Sequence, residues 1–168
     1  WCHNPESHET SVEISFLPER CIRCGYCVRV CPERCHRIEG GKHTFDRSRC
    51  ARCGLCTKEC FAQGLEPIGR EMSVEEVLAE ALKDRAFYEN SGGGITISGG
   101  EPMLQFEFTK ALLLAARKEG LHTVIETCGF APAERYRDIQ PAVDLFYFDI
   151  KESDSEKHLA LTGVPNEP

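Results

Sequence analysis

The sequence predicts an α/β protein interrupted by a cysteine-rich insert, and three observations carry that expectation. After residue 92, short apolar runs alternate with amphipathic stretches, the pattern of parallel strands joined by helical crossovers. Nine cysteines, from Cys21 to Cys60, fall within about forty residues, while the rest of the chain after Cys60 holds only Cys128. That cluster separates a polar beginning from the alternating part, so the chain divides into 1–14 with 66–168 and an insert over 15–65.

The insert repeats itself. Residues 21–31 read C-x-x-C-x-x-C-x-x-x-C followed by Pro32, and residues 50–60 read the same followed by Phe61. GGKHTFDRSR, between the runs, is expected to turn back as a hairpin. Residues 70–91 are expected to form a helix: Ser73 supplies an N-cap, Glu76 completes a capping box, and Val74, Val77, Leu78, Ala81 and Leu82 make one apolar face. A strand over 94–98 then leads through GGEP, where Pro102 suits a first helical turn, into a helix stopped by Gly120. A strand over 121–127, a helix after Pro132 and a strand over 144–150 complete the pattern.

Composition narrows the function. The chain has 168 residues, 41% hydrophobic and 28% charged, as in ordinary globular proteins. No stretch approaches the roughly 20 apolar residues that cross a bilayer, no signal peptide is read, and cytoplasmic residence is expected, with no membrane partner. A formal net charge of -7 argues against a nucleic-acid partner. A chain that begins WCHNPE and stops at TGVPNEP reads as a piece of a longer one, cut at both ends.

Eleven cysteines would leave one unpaired in a disulfide scaffold, and unbroken C-x-x-C steps suit metal better than short strained bridges. Thiolates are soft ligands for zinc or iron–sulfur clusters. Zinc modules usually separate two C-x-x-C pairs by a longer spacer. Three cysteines at successive three-residue steps suit three corners of a 4Fe–4S cube, and in two-cluster ferredoxins the fourth cysteine reaches the neighbouring cube. On that pattern one cluster takes Cys21, Cys24, Cys27 and Cys60, and the other takes Cys50, Cys53, Cys56 and Cys31. Cys35 reads as a packed thiol, with an alternative ligand role open to it; Cys128 also reads as packed.

WCHNPE, the doubled cysteine insert, GGGITISGGEP, ETCGF, DLFYFDIK and TGVPNE together resemble the glycyl-radical-enzyme activating proteins of the radical S-adenosylmethionine superfamily. The resemblance runs over the whole chain. It implies a sector of a partial (β/α) barrel carrying an inserted ferredoxin-like domain with two 4Fe–4S clusters. In that family a C-x-x-x-C-x-x-C set holds a further 4Fe–4S cluster. Its last cysteine corresponds to Cys2, and the first two would precede residue 1, so this chain alone is expected to be inactive and the intact protein to carry three clusters.

The resemblance also implies the chemistry. The open iron binds S-adenosylmethionine, reductive cleavage gives a 5'-deoxyadenosyl radical, and that radical takes hydrogen from a glycine Cα of a partner glycyl radical enzyme. Gly99, Gly100 and Glu101 match the stretch that receives the methionyl ammonium, with Glu101 able to hold the turn. Lys151 matches a lysine facing the methionyl carboxylate. Glu126, Thr127, Asp149 and the backbone at Tyr147 match a monovalent-cation site, although Glu126 departs from the aspartate that can stand there. His3 and Asn4 read as loop geometry. Flavodoxin or ferredoxin is the expected reductant. Two other readings remain open from sequence: a ferredoxin-type electron carrier and a radical enzyme acting on a small molecule.

Overall fold

The computed structural model describes residues 11–166, which divide into two units, Ser11–Glu71 and 72–166. Cys2, His3 and Asn4 lie outside the described residues. No helix among the described residues is long and apolar enough to cross a membrane.

A shift of 29 residues organises the first unit. It relates Cys21 to Cys50, Cys24 to Cys53, Cys27 to Cys56 and Cys31 to Cys60. The same shift relates strand β1 (Glu13–Phe16) to β3 (Lys42–Phe45), and β2 (His36–Glu39) to β4 (Leu65–Ile68). Strand pairing crosses between the halves: β1 runs antiparallel to β4, from Glu13↔Ile68 to Phe16↔Leu65, and β2 pairs with β3, from His36↔Phe45 to Glu39↔Lys42. Each half therefore gives its first strand to one ladder and its last strand to the other. Gly40 and Gly41, at φ 55° and 74°, make the two-residue turn that closes the expected hairpin.

The backbone repeats as faithfully as the cysteines. Arg23 and Gly25 in the first loop have φ of 60° and 75°, and their counterparts Arg52 and Gly54 have 55° and 69°. A left-handed arginine in each loop is strained, so both loops are held in place by what surrounds them. The five-residue helix α1 (Tyr26–Val30) follows the first loop and a 3-10 turn (Leu55–Thr57) follows the second. Ile14, Cys27, Cys56 and Leu65 form the buried core, so two metal-type thiols are also core residues.

Because β1 pairs with β4, this unit begins before residue 15 and ends after residue 65, wider than the 15–65 insert read from sequence. Four-residue strands with little alternation leave no periodic trace.

In the second unit β5 (Gly94–Ile97), β6 (His122–Thr127) and β7 (Leu145–Phe148) form a parallel sheet in that order. Helices α4 (Phe106–Lys118) and α5 (Ala133–Ile139) are the crossovers. Met103, Leu113, Ile125, Ile139 and Ala142 are buried together, with Phe106, Tyr136 and Phe146 packed against them. Fully burying side chains of this size contributes about 1.5–3 kcal/mol each, which fixes the helices on one face of the sheet.

Three expectations need correction. The single helix over 70–91 is two: α2 (Val74–Ala81), opened by the Ser73–Glu76 capping box, and α3 (Arg85–Ser91), joined through a 3-10 turn at Leu82–Asp84. The apolar stripe runs out at Leu82, and Arg85 turns instead to ion-pair with Glu119. The last strand stops at Phe148, so Asp149 and Lys151 lie beyond its end. A helix absent from the sequence reading, α6 (Ser155–Thr162), is capped by the Asp154 side chain, which accepts from Lys157 N, and ended by Gly163 at φ 79°.

Candidate functional site

Two sets of functional side chains stand on this frame, one in each unit. In the first, all nine cysteines are free thiols. Cys21, Cys24 and Cys27 line one cavity of about 90 Å³ together with Cys56 and Cys60, which arrive from the other run. Strand exchange brings Cys60 there, because β4 follows Cys60 and pairs with β1, just ahead of Cys21.

The second thiol group is visible in its electrostatics. Burial pushes the Cys56 thiol up to about 11, with Cys50, Cys31 and Cys27 adding to the rise as neighbouring negative charges. Cys27 is likewise raised to about 11, by burial first and by Cys21 and Cys24 after it. Thiols this costly to ionise, gathered beside one another, suit a cation that binds the thiolates directly. Both sets are rich in soft sulfur donors on left-handed loops, which fits iron–sulfur clusters, and His43 lies beside Cys21 and Cys27 in the first.

Cys35 sits apart from the ligand repeat. Its thiol is buried and raised to about 12, by burial and then by a hydrogen bond to Cys31. Its counterpart 29 residues on is Gly64, where a Cβ would meet the Cys21 backbone at 3.2 Å. Backbone bonds are nonetheless conserved between the halves: Asp46 N donates to Cys35 O, and Leu17 N donates to Gly64 O, both at 2.8 Å. A side chain at Gly64 would crowd the Cys21 backbone, and the other half has room for one.

Sequence reading did not single out a role for the histidines of this unit. His36 and His43 are both buried, and burial lowers both imidazoles, His36 to about 4. Only the strand pairing brings them beside Cys21 and Cys27, so spacing in the chain carried no signal.

The second set lies at the carboxyl ends of β5–β7. Glu101 is its centre. One carboxylate oxygen accepts from Met103 N at 3.0 Å and from Thr127 Oγ1 at 2.7 Å, and the other accepts from Cys128 N at 2.9 Å. Both oxygens are thus engaged within the protein, bracing the loop after β5 against the end of β6. Gly99, at φ 130°, lets the chain turn there with no side chain in the way. Gly100 follows it in the same turn.

Thr127 also meets the Tyr136 hydroxyl at 3.0 Å, and its carbonyl accepts from Asp149 N at 2.9 Å, which extends the β6–β7 ladder past Phe148. Glu126 is exposed and accepts from Ser98 Oγ at 3.0 Å. Lys151 forms an ion pair with Asp149. Glu101, Glu126, Thr127 and Asp149 are thereby linked through adjacent strand ends, the position where open and closed α/β sheets bind ligands. Cys128 is an exposed residue whose thiol is raised by partial burial and by its hydrogen bond to Glu101.

The family model described as the radical SAM superfamily matches residues 22–167. The chain belongs to that superfamily. Membership implies a 4Fe–4S cluster and S-adenosylmethionine. This radical SAM chain is 43% identical to the isethionate sulfite-lyase activating enzyme of Desulfovibrio desulfuricans, over 99% of the chain and 55% of that protein. It is 42% identical to the trans-4-hydroxy-L-proline dehydratase activating enzyme of Clostridioides difficile, over 99% of the chain and 56% of the relative. With the benzylsuccinate synthase activating enzyme of Thauera aromatica it shares 43% identity, over 100% of the chain and 53% of the relative. The chain spans a little over half the length of these relatives.

Proposed function

We propose that this chain is the cofactor-handling part of an activating enzyme for a glycyl radical enzyme. The proposed reaction is reductive cleavage of S-adenosylmethionine, with removal of one hydrogen from a glycine Cα of a partner lyase, decarboxylase or dehydratase. The observation that carries this reading is the linked Glu101–Thr127–Asp149 network at three parallel strand ends, in a radical SAM chain similar throughout to activating enzymes.

In this proposal residues 1–10 and 72–168 belong to the partial barrel, and the cysteine unit, Ser11–Glu71, is a ferredoxin-like insert. Cys2 is one ligand of the radical cluster. When bound, that cluster supplies one electron to the sulfonium. The chain's own residues then hold the substrate. Gly99 and Gly100 leave backbone groups open to the methionyl ammonium, braced from beneath by Glu101. Lys151, freed from Asp149, meets the methionyl carboxylate as a charge-assisted partner. Glu126, Thr127 and Asp149 with the Tyr147 carbonyl offer oxygens to a monovalent cation, whose charge would replace Lys151 beside Asp149. Cys21, Cys24, Cys27 and Cys60 would hold one further cluster and Cys31, Cys50, Cys53 and Cys56 another, which would supply a path for electrons from flavodoxin or ferredoxin.

The test uses a polypeptide in which the C-x-x-x-C-x-x-C set ending at Cys2 is whole. After anaerobic reconstitution and reduction it is expected to release 5'-deoxyadenosine from S-adenosylmethionine and to raise a glycyl radical doublet in its partner. Absence of 5'-deoxyadenosine from fully loaded protein would exclude the reading in favour of electron transfer alone. Its release without a glycyl radical in any plausible partner would favour a small-molecule substrate.

A further inference from the structure

The 29-residue repeat is broken in kind at two buried core positions. Ile14 corresponds to His43, and Leu65 corresponds to His36. The β1–β4 ladder of the cysteine unit therefore carries an apolar pair where the β2–β3 ladder carries two imidazoles. His43 Nδ1 lies 3.2 Å from Cys21 Sγ, and its Nε2 lies 3.6 Å from Cys27 Sγ and 3.1 Å from His36 Nδ1. Both rings are clamped: Phe16 lies 4.3 Å from His43 between ring centroids, and Phe45 stacks on His36 at 4.7 Å.

An iron-bound thiolate carries no proton and only accepts. Of the two thiolates that face the His43 ring, Cys21 at Nδ1 makes the shorter contact and Cys27 at Nε2 the longer, so Nδ1 is assigned the proton. In the neutral ring Nε2 is the acceptor, and His36 Nδ1–H is placed to donate to it. We propose that His43, oriented by His36, donates an N–H···S hydrogen bond to Cys21 and so raises the reduction potential of the cluster held by Cys21, Cys24, Cys27 and Cys60. The other cluster is left without an equivalent.

The physical reason is that reduction adds electron density to the cluster sulfurs, and a donor aimed at a sulfur stabilises the reduced state more than the oxidised one. Ile14 offers no donor at the matching place. Among the described residues the sulfurs of Cys31 and Cys50 meet backbone amides, Cys35 N and Arg52 N, each at 3.4 Å. The imidazole contact is shorter and can be removed without touching the backbone. His43 is thus a positioning and tuning residue, and it marks one half of a near-symmetric module for electrons.

The inference rests on the two-cluster reading, and one series of measurements separates them. Iron and sulfide analysis of the anaerobically reconstituted protein is expected to give about eight irons per chain. Four or fewer would overturn the two-cluster reading, and the inference with it. With eight present, potentiometric titration followed by electron paramagnetic resonance compares the protein with three variants.

His43→Ile copies the residue of the other half. It is expected to lower one cluster's reduced-to-oxidised ratio about tenfold at fixed potential, a shift of about 59 mV for one electron, with the second cluster unmoved. His43→Asn, which keeps an N–H, is expected to recover part of that shift. Ile14→His is expected to raise the potential of the other cluster. This third variant leaves the imidazole pair intact, so it decides the matter if His43→Ile fails to hold iron. Eight irons with unmoved potentials in His43→Ile, or in Ile14→His where His43→Ile does not load, would overturn the inference alone. So would a stoichiometric divalent ion on Cys27, His36 and His43, whose ligand atoms all lie within 4.8 Å of one another.

Discussion

The two units bury their cores in opposite relation to their sites. In Ser11–Glu71 the buried cluster is Ile14, Cys27, Cys56 and Leu65, so half of its core is made of thiols that the site needs. In 72–166 the core of Met103, Leu113, Ile125 and Ile139 lies under the sheet, and the functional side chains stand at the strand ends. On the proposed cluster assignment a unit of the first kind would depend on its metal to fold, because the ligands and the packing are the same atoms. A unit of the second kind can be altered at its site while its core stands.

Iron removal is the strongest way to break this comparison. An iron chelator under reducing conditions is expected to abolish hydrogen-exchange protection in β1–β4 while leaving β5–β7 protected, read by mass spectrometry. Equal loss in both units would end the distinction. Ile125→Ala is the converse test. It is expected to lower the stability of the sheet unit by about 2–5 kcal/mol in urea unfolding, with iron content unchanged. Cluster loss in that variant would show that the units do not stand apart.

Smaller effects sharpen the contrast within the sheet unit. Lys151→Ala is expected to weaken S-adenosylmethionine binding about tenfold by calorimetry, ~1.4 kcal/mol, without moving the unfolding midpoint. An unchanged dissociation constant would remove its carboxylate role. Ser73→Ala takes away one side of the α2 capping box and is expected to cost about 1 kcal/mol of stability with no change in binding.

Legibility in the sequence followed the range of the interactions. The Ser73–Glu76 box, the strand–helix alternation and the stop at Gly120 are local, and the structure has each of them. The hairpin of β2 and β3 is local and was legible in its Gly40–Gly41 turn, but β1 and β4 are paired across up to 55 positions, as Glu13 with Ile68, and nothing within a window of a few residues announces them. The break at Leu82 was hidden for the same reason, since Arg85 is drawn away by Glu119 from another helix end. Helix α6 had a readable start in Asp154 and stop in Gly163, but its weak apolar face offered no periodicity to connect them.

Residue type and spacing by themselves pointed to soft-metal ligation and determined that the later half of the chain is a parallel α/β sheet. Thiols at three-residue steps and apolar runs of fixed period have few other uses. Tertiary structure alone decided that Glu101 is a brace with both oxygens occupied, and that two imidazoles face the thiols of one half and not the other. Those facts arise where distant strands meet, and a hydrogen bond responds to ångströms in space whatever the separation along the chain.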